Sequence, residues 1–218
     1  MSHVFGQVAV LGSSGVLLCG IILLWRRGVD AYISAFAWQS IVLAALTAAV
    51  GYFGNDPELY GVAVLLFLLK GVAIPRLLRK VAARSASASE QAPYVNAATS
   101  LVVSGLLILL AYAASRPLLA IAEAPTRGGM PLAMGLLFVS LFIIISRRKA
   151  VTQVIGFLML ENAIALLAVL GTYGVPLIVE LGVFLDVLMG FLVMQIFLYD
   201  IHDTFSTLDV SALNRLKH

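Results

Sequence analysis

Seven stretches of this chain are almost free of charge, and each is about long enough to cross a bilayer. They run at roughly 4–25, 32–53, 59–80, 96–115, 129–146, 151–171 and 175–199, near the ~20 apolar residues that a membrane-spanning helix requires. Only short polar breaks separate them, and strand-like alternation is absent, which argues against a β-barrel. The pattern predicts an all-α integral membrane protein of about seven transmembrane helices with no sizeable soluble domain. The first stretch lacks a basic leader and is followed by Arg26 and Arg27 rather than a small-residue cleavage site. It therefore reads as a retained helix.

Composition agrees with the pattern. The chain is 61% hydrophobic and only 11% charged, whereas soluble domains carry about 25% charged residues. The basic residues set the expected orientation. Arg26, Arg27, Arg76, Arg79, Lys80, Arg84, Arg147, Arg148, Lys149, Arg215 and Lys217 fall on one side, and only Arg116 and Arg127 on the other. Cytoplasmic loops hold the excess of Lys and Arg, so the N-terminus is expected outside and the C-terminus in the cytoplasm. The net charge of +3 is then a topology signal. No basic stripe interleaved with aromatics points to nucleic acid.

The expected organisation is a three-helix front part at 1–82, a linker at 83–95, a four-helix rear part at 96–199 and a cytoplasmic tail at 200–218. The linker is rich in Ser and Ala, a composition that cannot bury a core. In the tail, Ser206 with Asp209 three residues on is a possible helix cap. A faint repeat is also visible. Arg26-Arg27 precedes a span with Gln39 and then one with Lys70, while Arg147-Arg148 precedes a span with Glu161 and then one with Asp186. Both triplets would run the same way across the membrane.

The candidate chemistry lies in the charges that interrupt the lipid-like stretches: Lys70, Glu161, Glu180 and Asp186. A charge at the bilayer centre costs ~2.5–3.5 kcal/mol on insertion scales, so such residues face the bundle interior and mark ion or proton paths. Burial disfavours the charged form of acids and bases alike, which suits groups that take up and release protons. Gly182, Asp186 and Gly190 share one helical face, where small residues admit a close neighbour. Glu180 is six residues before Asp186, a rotation of about 240°, and sits nearer the outer surface. Pro75 follows Lys70 closely and is expected to disturb the helix there, freeing carbonyls for water. Gln39, with Ser40, is a weaker lining residue. The bland reading of the charges is a static buried ion pair that fixes packing.

Redox cofactors find few ligands. Cys19 is the lone cysteine, and His3, His202 and His218 fall outside the expected spans. Neither an iron–sulfur cluster nor a histidine-ligated haem within the bilayer is expected, so no cofactor or metal site is assigned.

Several segments together carry a resemblance. Gln39-Ser40-Ile41-Val42-Leu43, Lys70 with Pro75, Ile155-Gly156 through Glu161-Asn162-Ala163, Val179-Glu180-Leu181-Gly182 through Asp186, and Thr207-Leu208-Asp209-Val210 with Leu213 resemble hydrogenase-4 component E. Spans five to seven with the tail look like the K subunit of respiratory complex I and the C subunit of Mrp-type antiporters. The resemblance implies a cofactor-free, non-catalytic membrane-arm subunit of a group 4 hydrogenase or formate hydrogenlyase in a bacterial or archaeal cytoplasmic membrane. Its expected partners are antiporter-like subunits and the membrane anchor of the redox arm. In the K-like pattern, carboxylates on the middle and third helices belong to a hydrated charged axis. Asp186 matches the third-helix acid, as Asp instead of Glu, and Glu161 stands three residues later than the middle-helix acid, ~4.5 Å along the helix. A stand-alone ion transporter and a purely structural spacer are the alternative readings.

Overall fold

The computed structural model describes residues 2–26, 28–84, 95–121, 125–147 and 150–172. They form helices α1 (Ser2–Trp25), α2 (Val29–Gly54), α3 (Glu58–Leu66), α4 (Ile74–Arg84), α5 (Ala97–Ile121), α6 (Met130–Ser146) and α7 (Ala150–Thr172). A π-helical segment, Phe67–Ala73, joins α3 to α4 in one continuous span, and a 3₁₀ turn, Pro125–Gly129, leads into α6. Six of these helical spans are long and apolar enough to cross a membrane, which makes the chain a multi-pass all-α membrane protein. Helices are the natural answer to lipid, because every backbone polar group is then satisfied within its own segment. The seventh expected span at 175–199, with Glu180 and Asp186, and the tail at 200–218 lie outside the described residues, as do residues 85–94 of the linker.

The helix ends follow ordinary capping chemistry. Asn96 Oδ1 accepts the Thr99 N–H at 2.8 Å ahead of α5, the role of an N-cap side chain. Asn55 closes α2 in the left-handed conformation and donates its N–H to the Gly51 carbonyl. The first helix starts at Ser2, so His3 lies within its first turn rather than before it. The fourth span runs past the expected end at 115 to Ile121 and carries Pro117 inside it.

The spans pack in two rows. The third span lies on α2 and α2 on α1; in the other row α5 lies on α6 and α6 on α7. Across the rows α1 meets α6 and α2 meets α7. Over half of α2, α6 and α7 (56% of each apolar window) is buried, against 17% for α5, so α5 is peripheral among the described residues. Tyr32, Phe36, Leu43, Leu136, Ile143, Ile155 and Leu158 fill the centre. With apolar lipid outside, this packing gains little from the hydrophobic effect. Close contact and interhelical hydrogen bonds hold the helices together.

The basic ends gather at one end of the bundle. Arg79 Nη2 donates to Ser34 Oγ at 3.3 Å. Arg147 is 5% exposed, although the sequence places it among the loop cations. It donates to Tyr32 Oη at 3.0 Å and to the Leu24 carbonyl at 3.3 Å, and it lies 5.2 Å from the Tyr32 ring centroid. This contact ties the end of α6 to α1 and α2.

Gly156 sets the α6–α7 spacing. A Cβ there would meet Ile143 Cγ2 and Ile144 Cγ1 at 3.0 Å and the Ile144 backbone nitrogen at 3.3 Å. Backbone cannot move aside as a side chain can. Gly156→Leu is therefore expected to destabilise the bundle by ~1–3 kcal/mol through overpacking, read as a lower midpoint in thermal unfolding of the purified protein in detergent.

Candidate functional site

The site begins with an irregular helix. Phe67 donates its N–H to the carbonyls of Ala63 and Val64, whereas Ile74 donates to Leu69, five residues back. The change of register accommodates an extra residue and widens the helix around Lys70. Two residues explain the location. Pro75 has no N–H, so the ordinary bond to Gly71 cannot form. Gly71 also lets the third span close on α2, since its Cβ position is only 3.2 Å from Ile41 Cγ1. The expected disturbance near Pro75 thus takes the form of a π-helical turn, a feature common at functional sites.

Lys70 then reaches across to the other row. Its Nζ lies 2.9 Å from Glu161 Oε1, and the two side chains are only 3% and 6% exposed. Glu161 has eleven helical residues on either side of it in α7, so the pair sits at mid-depth. The third span and α7 make little backbone contact, and the length of the lysine bridges them. Such a contact is charge-assisted and short. It must offset a desolvation cost of several kcal/mol per ion. Glu161 Oε2 is buried with no hydrogen-bond partner among the described residues.

Beside the pair lies an amide network. Asn162 Nδ2 donates to Gln39 Oε1 at 3.2 Å and to Ser40 Oγ at 3.0 Å. Gln39 Nε2 donates to the Val16 carbonyl at 3.2 Å. All three polar side chains are fully buried. The network joins α1, α2 and α7 next to the helix residue that holds the carboxylate.

The structure thus brings three of the five sequence candidates into one region: Lys70 and Glu161 directly, and Gln39 through Asn162. Glu180 and Asp186 lie outside the described residues. Asn162 was not among the candidates. Its signal was present, since an amide beside a mid-span acid is costly in lipid unless bonded. Its partners could not be read from spacing, because Gln39 is 123 residues away. The two middle helices of the suggested repeat, α2 and α7, are among the three helices the network joins.

Comparison with known proteins gives relatives along nearly the whole chain. The uncharacterized protein Rv0085 of Mycobacterium tuberculosis is 36% identical over 214 residues, covering 98% of this chain and 97% of that one. Hydrogenase-4 component E of Escherichia coli K12 is 24% identical over 182 residues, 84% of each chain, and that of Shigella flexneri matches to the same extent. No family model and no solved structure matches.

The pair's energetics can be tested directly. Lys70→Met, which leaves Glu161 without this partner, is expected to cost ~3–5 kcal/mol, because removing one member of a buried pair strands the other. The double variant Lys70→Met/Glu161→Gln is expected to recover most of that loss. Thermal unfolding of the wild type and the three variants, both singles and the double, in detergent measures the coupling.

Proposed function

The chain belongs to the same family as Rv0085 and hydrogenase-4 component E, and we propose that it is a non-catalytic membrane-arm subunit of a complex I-like, energy-converting hydrogenase of the formate hydrogenlyase type. In this reading it lies between antiporter-like subunits and the anchor of the redox arm, in a bacterial or archaeal inner membrane. Its N-terminus is outside and its C-terminus is cytoplasmic. Its work is to pass protons or ions along the membrane arm while partner subunits perform the redox chemistry.

One observation carries the reading: a lysine and a glutamate meet at 2.9 Å, almost wholly buried, at mid-depth. The pair has two states of equal total charge, ammonium with carboxylate and amine with carboxylic acid. A proton moved between them costs no net charge in lipid. A proton arriving from outside neutralises Glu161 and weakens its hold on Lys70. The long lysine stem then has freedom to swing, helped by the wider turn on which it stands. Alternating between held and released states moves protons in steps. Asp186 on the seventh span is proposed as the next acidic group, with Glu180 as an outward exit.

The test uses inverted membrane vesicles holding the native complex with Glu161→Gln, Lys70→Met or Asp186→Asn, introduced singly. Each is expected to assemble and to lower redox-driven proton movement by about tenfold or more, as loss of a positioned proton acceptor does. Wild-type proton movement in all three would leave only the spacer role. Ion transport by the isolated chain in liposomes would overturn the subunit reading in favour of a stand-alone transporter.

A further inference from the structure

The orientation of the buried amides follows from a single backbone group. The Val16 carbonyl can only accept, so Gln39 turns its NH₂ toward α1 and presents Oε1 to α7. That oxygen needs a donor, which fixes the Asn162 amide with Nδ2 toward α2. Both hydrogens of Nδ2 are then in use, one to Gln39 and one to Ser40. Asn162 Oδ1 is left as a pure acceptor, fully buried and without a hydrogen-bond partner among the described residues. Glu161 Oε2, on the adjacent residue, is in the same condition.

Two unmet buried acceptors on successive residues of α7 are costly, at ~1–3 kcal/mol each. Buried water commonly resolves this condition, making about three hydrogen bonds to such groups. A water molecule has two donors, one for each oxygen.

We infer that Asn162 is a positioning residue: the directed chain Val16–Gln39–Asn162 holds Oδ1 so that it seats a water molecule serving Glu161 Oε2. The inference rests on Glu161 being the proton-handling group. The water supplies the carboxylate oxygen that Lys70 does not engage, and it gives an arriving proton a fixed point of entry. Gln39 acts one step further back, by setting which way the Asn162 amide faces.

The test is infrared difference spectroscopy on the full-length chain in lipid nanodiscs. The carboxylate stretch of Glu161 is assigned by its loss in Glu161→Gln. In Asn162→Leu that band is expected to move, together with loss of a weakly bonded water O–H band. A Glu161 band at its wild-type position, with the water band retained, overturns the inference. If Asn162→Leu does not fold, Gln39→Met leaves α7 untouched and removes the acceptor that orients the amide, together with the donor to the Val16 carbonyl. The same displacement is expected there, and an unmoved band is equally fatal. Vesicles with Glu161→Gln that move protons normally would refute the proton-handling role. The band positions would still report separately on whether Asn162 seats the water.

Discussion

The cost of holding charge away from water governs this molecule. Lys70 and Glu161 are tolerated at mid-depth because each neutralises the other at 2.9 Å. Desolvation of either alone would exceed what its local packing returns. The constraint shapes the surroundings. The third span must come close enough to α2 for the lysine to reach α7, and Gly71 permits that approach. The helix also widens at Lys70, where Pro75 removes a backbone donor.

A second polar layer lies beside the ion pair and obeys the same rule. Gln39, Ser40 and Asn162 are completely buried, and each bonds across a helix boundary. Interhelical hydrogen bonds of this kind are individually modest in membranes, about 0.6 kcal/mol on average. Their larger effect here is directional. They fix the rotation of α7 relative to α2, and with it the direction in which the neighbouring Glu161 points. At the basic end Arg147 performs a similar task, since its contacts with Tyr32 and Leu24 fasten α6 to α1 and α2.

The helices that carry the suggested repeat come from different rows. The corresponding helices α1 and α6 pack together, as do α2 and α7, and mid-depth amides on the latter pair hydrogen-bond to each other. Among the described residues, Lys70 pairs with Glu161 and Gln39 bonds to Asn162, so polar residues from both triplets meet at one internal seam. In the proposed role, this buried seam of polar groups is where protons would move while lipid is excluded.

The sequence by itself determined the class of protein, the approximate limits of six spans and the residues that do not belong in lipid. Those facts follow from composition over some twenty residues, and hydropathy is a local property. Lys70, Glu161 and Gln39 were legible because a polar side chain amid apolar ones is conspicuous. Only the tertiary structure decided which of them meet. These helices are apolar on nearly every side, so no periodic stripe tells which face turns inward. The pairing of Lys70 with Glu161, the bonds of Asn162 and the inward turn of Arg147 depend on the order and rotation of helices far apart in the chain. Distance and orientation between such helices come from packing and interhelical hydrogen bonds, and spacing along the chain does not encode them.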